Sequence, residues 1–328
     1  MIDNGGLPRT PSFSPHARSM TTSARSSRAH RSPGSALLTL AAALLLGLAA
    51  CQTDDAPPGA DADPEMTGDA GAEVRPIAEP DSERIELVPS PQTAPDVPGA
   101  SLRMDTPTAG QRFAEGEDVE VRLDLEGYDL GVPTPSGDER GLARAPDGQH
   151  VHLVLNDEPY DAIYDLSDPI VLEDLPAGTH VLRAFPGRDW HESVKLPGTL
   201  AQVTFVVGEG EMEFGQPQEW GPSLIYSRPQ ATYSGAAADS VLVDFVLSGV
   251  DLAPDGYTVE LEVLDRVFDI ERWAPYLLTN LPSGEITLRM ALLDPEGNEV
   301  DAPFLPVERT IQVERDDEGN GELDENGS

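Results

Sequence analysis

From residue 100 onward, apolar and polar residues alternate over short runs. Val119-Glu120-Val121-Arg122-Leu123-Asp124-Leu125 places an apolar side chain at every second position, the period of a half-buried strand. Leu102 and Met104 suggest an earlier strand. Val151, Leu153 and Leu155 predict another, and Pro169–Leu172, His180–Ala184 and Ala201–Val207 continue the series. Turns rich in Gly, Pro and Asp separate these runs. No stretch beyond the leader carries helical periodicity.

The blueprint occurs twice. Gly148–Phe185 opens GQHVHLVLND and closes DLPAGTHVLRAF, while Gly256–Ala291 opens GYTVELEVLD and closes NLPSGEITLRMA. The openings lie 108 residues apart and the closings 106 apart. Val241–Leu247 matches Val119–Leu125, Pro275–Leu278 matches Pro169–Leu172, and Thr310–Val313 closes the second copy. Units of about 100 residues built from short alternating strands predict antiparallel β-sandwiches. The expected modules are 100–208 and 223–314, joined by 209–222, with a frayed acidic tail at 315–328.

The N-terminal region follows another logic. Residues 36–50 read ALLTLAAALLLGLAA, 15 apolar or small residues behind a basic, acid-free stretch. That is shorter than the roughly 20 residues a membrane span needs. It has the layout of a secretory signal at 1–50, with Met20 a candidate true start. The alternative is a transmembrane anchor with a chance cysteine. Residues 51–99, rich in Asp, Ala, Pro and Gly, read as a disordered, charge-extended tether, within which Ile85-Glu86-Leu87-Val88 is a candidate edge strand.

The chain carries 59 acidic and 21 basic residues, and five of the basic ones but only one acid precede Cys51. The mature part is therefore more acidic than the whole-chain charge of −38 implies. Such a field repels phosphate backbones, which argues against a nucleic-acid partner. Lys195 is the single lysine, a balance that resembles the proteomes of salt-loving bacteria. A single cysteine rules out an intrachain disulfide.

Leu48-Ala49-Ala50-Cys51 resembles the lipobox of bacterial lipoproteins. The resemblance implies cleavage before Cys51, acylation of that cysteine and anchoring to a membrane. Gln52 after it favours the outer membrane, on the periplasmic or the surface face. Leu-Pro-x-Gly-x-His before a strand (Leu175–His180) resembles bacterial immunoglobulin-like domains. Together with Gly148–Leu153 and His191 it also resembles the DUF4399 family of unknown function, which implies a fold and no activity. Module two lacks all three histidine positions.

Four histidines follow Cys51: His150, His152, His180 and His191, all in module one. Since Val151 and Leu153 face inward, His150 and His152 are expected to point outward, side by side on one strand. His180 aligns with Ile286 and is expected in the core. The loop Pro186–Thr199 carries Arg188, Asp189, Trp190, His191 and Glu192, and strand pairing should bring it beside His150. Module one also carries 14 extra residues between Leu125 and Gly148, mostly LGVPTPSGDERGLARAPD. A surface site of His150, His152 and His191, completed by Asp189 or Glu192, suits Zn²⁺ or Cu²⁺. The plainer alternative is surface histidines with Trp190 as a loop anchor. Trp190 and Arg188 are candidates for ligand contact.

Asp316–Gly327 lacks the glutamate that closes a calcium loop, and Asp294–Asp301 reads as a turn. No GxSxG, P-loop or GxGxxG occurs. The first reading is thus a non-catalytic, lipid-anchored envelope protein that binds a protein or glycan and needs no cofactor. Zn or Cu binding by module one is the alternative, and a hydrolase is a distant third.

Overall fold

The computed structural model describes residues 84–90, 97–135 and 142–315. The leader, Cys51, most of the tether, part of the insertion and the acidic tail lie outside the described residues. The fold is two tandem immunoglobulin-like β-sandwiches. In module one, β2 (Ser101–Thr106), β4 (Val119–Glu126) and β7 (Ile170–Leu172) form one sheet in the order β2-β4-β7. The facing sheet runs β3-β9-β8-β5-β6, built from β3 (Arg112–Phe113), β5 (His150–Leu155), β6 (Asp161–Ile163), β8 (Gly178–Gly187) and β9 (Ala201–Val207).

Module two repeats this order strand for strand. Its smaller sheet contains β10 (Ser223–Arg228), β12 (Ser240–Ser248) and β15 (Tyr276–Thr279). The larger runs β11-β17-β16-β13-β14, from β11 (Thr232–Ser234), β13 (Thr258–Val263), β14 (Arg266–Ile270), β16 (Gly284–Leu293) and β17 (Val307–Glu314). The pairings are antiparallel except for one short parallel pair in each module, β3 with β9 and β11 with β17. Among the described residues, no helix is long and apolar enough to cross a membrane.

Each sandwich has its own core. Val119, Val121, Val151, Leu153, Leu182, Ala184 and Phe205 fill the first, and Val241, Val243, Phe245, Val259, Leu261, Ile286 and Leu288 the second. These are the alternate positions that the sequence pattern assigns inward.

Two features go beyond the expectations. The candidate edge strand at Ile85–Val88 is present as β1 (Glu86–Pro89), and it pairs antiparallel with β15, at the edge of module two and not of the module that follows it in sequence. Ile85 just before it is fully buried in the second core. That module offers an open strand edge and an apolar slot, and Ile85 and Leu87 supply the side chains to fill it.

The second feature is that the modules pack face to face. The outward face of the β5–β8 sheet meets the outward face of the β10–β12–β15 sheet. Val154, Tyr160 and Phe185 pack on Ile225 and Val246, and Trp190 packs on Leu242 and Leu277. Both faces of β5, β8 and β12 are therefore covered. Residues 209–222 form a short joint containing a single turn of 3₁₀ helix, tied back to β9 by Gln216 and Thr204.

Candidate functional site

The start of β5 projects His150 and His152 from the sheet face away from module one's own core, as the alternation requires. Both are nevertheless completely buried, because module two covers that face. They are not surface histidines, and the expectation of an exposed site is corrected accordingly. The pairing of His150 with Gly187 places the next loop alongside, and His191 swings in from it with a left-handed backbone (φ 70°). One ring nitrogen from each of His150, His152 and His191 lies within 4.8 Å of the others.

Two glycines make the geometry possible. Gly148 has φ 88°, and a Cβ there would lie 2.5 Å from the Val132 carbonyl oxygen. A Cβ on Gly187 would lie 2.3 Å from His152 Nε2. Any larger residue at 187 would occupy the space of the imidazole.

The hydrogen bonds set the ring protons. Gly148 O, which can only accept, lies 2.9 Å from His150 Nδ1, so that nitrogen carries the proton and Nε2 offers a lone pair. His150 Nε2 lies 3.0 Å from His152 Nε2 and 3.1 Å from His191 Nδ1. Arg228, at the end of β10, donates to the Tyr160 hydroxyl. The one Tyr160 proton is then directed to His191 Nδ1, 3.0 Å away. The single lone pair of His191 Nδ1 then accepts from Tyr160, and a cation held on that nitrogen and on His150 Nε2 takes the place of the tyrosine proton. His152 Nδ1 lies 3.2 Å from the hydroxyl of Ser227, on module two. Its ring stacks on Tyr160 with centroids 3.6 Å apart and planes 6° from parallel.

Burial pushes the His150 pKa down to about 4 and holds those of His152 and His191 well below the ordinary imidazole value. At neutral pH all three rings are uncharged, the form that ligates metals.

The other expected residues are occupied elsewhere. Asp189 accepts from the Thr134 backbone N–H at 2.8 Å and forms an ion pair with Arg144, so it fastens the insertion to the loop. Glu192 accepts from Trp190 Nε1 at 2.8 Å. Neither carboxylate belongs to the histidine group, which corrects the expectation that one of them completes it. Trp190 and Arg188 are buried as well, with the indole against Leu242 and Leu277, so they are not displayed for a ligand. His180 is a core residue, stacked on Phe205 and bonded to the Pro176 carbonyl oxygen at 2.8 Å. Cys51 lies outside the described residues.

Sequence reasoning missed Tyr160, Ser227 and Arg228, which complete the surroundings of the trio. Two of them come from module two, more than 70 residues beyond His150 and His152 in the chain, and no local pattern announces them. The register of β10 against β12 shifts between Tyr226 and Arg228, beside the residues that face the histidines.

No family model matches the chain, and no curated protein matches it. Several solved structures are similar. The fibronectin(III)-like modules of Clostridium thermocellum CbhA share 14% identity over 65% of this chain and 94% of theirs, with a TM-score of 0.23. A Bacteroides ovatus protein, SGBP-B of a mixed-linkage glucan utilization locus, solved with a mixed-linkage heptasaccharide, shares 12% over 70% of each chain, with a TM-score of 0.20. The Ig1-2 module of the Drosophila receptor phosphatase DLAR shares 10% over 65% of this chain and 98% of that one, with a TM-score of 0.20.

Proposed function

We propose that this chain is a non-catalytic binding protein whose first module holds a transition-metal ion, Zn²⁺ or copper, on His150, His152 and His191. The observation that carries this reading is the convergence of three neutral imidazoles, two of them fully buried and His191 half-buried. Zinc–nitrogen bonds of about 2.0–2.1 Å at tetrahedral angles set the donor atoms roughly 3.3 Å apart. The 3.0 and 3.1 Å separations about His150 require a slight opening, and the wider gap between His152 and His191, within the 4.8 Å span of the trio, must close by rotation of the His191 ring. The Gly148 carbonyl fixes the His150 tautomer, as carbonyl oxygens behind metal-bound histidines do. Arg228 opposes the added charge, and the three imidazoles favour it.

The lipobox-like Leu48–Cys51 supports a setting in which acylated Cys51 holds the protein to a bacterial membrane, with residues 52–83 as tether. A second reading, capture of an envelope protein or glycan, keeps the insertion as its surface, where Val132 is 40% exposed.

Calorimetric titration of the soluble chain from Gln52 with Zn²⁺ and Cu²⁺ tests the metal. The expected result is one saturable site, lost in His150→Ala and His191→Ala while the variants still unfold cooperatively. Absence of saturable binding at micromolar concentrations, or full binding by both variants, discards the reading. Deletion of residues 135–142 separates the two readings, because it should leave metal affinity intact and abolish any capture through the insertion.

A further inference from the structure

The junction between the modules has a second polar feature, at a distance from the histidines along the same face. Arg183 of β8 lies opposite Val154 of β5 in the sheet and is 3% exposed. Its guanidinium sits over the rings of Phe304 at 4.9 Å and Trp220 at 5.4 Å, and Nη1 donates to the Asn156 carbonyl oxygen. Its Nε is buried with no hydrogen-bond partner. No carboxylate among the described residues lies within ion-pairing distance of it. Burial lowers its pKa to about 10, which still leaves it charged at neutral pH.

Arg183 lines a crevice of about 230 Å³, open to solvent, whose interior has room for about one water-sized particle. Module two supplies the opposite wall, with Tyr226, Phe304 and a second cation, Arg309. Arg309 stands over the Tyr226 ring at 5.4 Å and likewise has no carboxylate in ion-pairing range among the described residues. Asp157, exposed at the rim, contributes one opposing charge. Two unneutralised guanidinia thus face a narrow slot in a chain whose acids outnumber its bases almost three to one. A buried guanidinium with no close counter-charge is destabilising unless something supplies the missing partner.

We propose that this crevice is a binding site for a small monovalent anion of halide size, chloride in salt solution, which bridges Arg183 of module one and Arg309 of module two. The walls of Phe304, Tyr226, Leu224 and Val307 exclude larger hydrated anions. The guanidinium groups of Arg183 and Arg309, which both line the crevice, supply the donors that a spherical anion accepts from. The ion binds the docked pair of modules and not the unfolded chain, so it stabilises the native state by mass action.

The test compares thermal unfolding in sodium chloride and sodium gluconate at matched ionic strength. Chloride should raise Tm saturably by about 3 °C more than gluconate, by the usual conversion for a domain pair of this size. Arg183→Gln should erase the difference. Equal Tm in the two salts, or an unchanged difference in the variant, overturns the proposal. Should Arg183→Gln fail to fold, crystals of the unaltered protein soaked in bromide decide. An anomalous peak between Arg183 and Arg309 supports the site, and peaks elsewhere only, or none, reject it.

Discussion

Lys195, the only lysine in the chain, donates its ammonium to Asp244, a carboxylate with no solvent exposure on β12 of the other module. The Ser193 backbone N–H adds a second bond to the same carboxylate at 3.0 Å. A buried aspartate in an otherwise apolar strand is thereby satisfied only when the modules are docked. Asp244→Asn leaves Lys195 half-enclosed without its partner, and a loss of about 3 kcal/mol is expected. Denaturant unfolding of the full chain measures it. A change below about 0.5 kcal/mol would mean that the ion pair does not hold the junction.

The glycine at 187 makes the sharpest steric prediction. Because its Cβ would stand 2.3 Å from His152 Nε2, Gly187→Ala must displace the imidazole or the β5–β8 pairing. Overpacking of this kind costs roughly 1–3 kcal/mol. The variant should also lose metal binding while keeping all three histidines. Calorimetry with Zn²⁺ beside a thermal melt reads both, and unaltered affinity would refute the placement of the ring.

The acid side of the stability profile follows from the buried imidazoles. Their folded pKa values lie below the unfolded value of about 6.5, so above that pH neither state is protonated and the contribution is complete. Between pH 6.5 and about 4 the unfolded chain binds protons that folded His150 refuses, because burial disfavours its charged form. Stability should therefore fall as pH falls through this window, and the His150 contribution should level off below it. Midpoints of denaturant unfolding at pH 7.5 and 5 measure the slope. His150→Gln should flatten it, and an identical slope in the variant would show that these rings are not the source.

Ile85 gives a test of the strand that precedes module one. It is fully buried in the core of module two, and Ile85→Ala should cost about 2–4 kcal/mol. A chain beginning at residue 98 should show at least as large a loss, with the decrease confined to module two in hydrogen exchange. Unchanged protection there would exclude the β1–β15 pairing.

The strands and the duplication were legible because each module's core is built from alternate positions, and alternation survives in the text of the chain. The covering of one module by the other was not read, although its trace is present. Outward positions in β4 are Glu120, Arg122 and Asp124, whereas their counterparts in β12 are Leu242, Asp244 and Val246. A strand apolar on both sides marks a sheet with both faces buried. The same contrast separates β13, with outward Glu260 and Glu262, from β5, with His150, His152 and Val154. The direction of the histidines was thus readable from alternation. Their enclosure was not, since it depends on residues of a different module. Ser227 and Arg228 became site residues only through that packing.

The pairing of β1 with the far module also sets a mechanical route. Whatever the N-terminal segment is fastened to, tension applied there meets the four-residue ladder on β15 before it reaches Ser101. The load enters the second sandwich, and the first is bypassed until that short ladder peels away. Tugging would thus expose an unzipped edge and the slot left by Ile85 while the histidine-bearing sandwich itself stays unstretched.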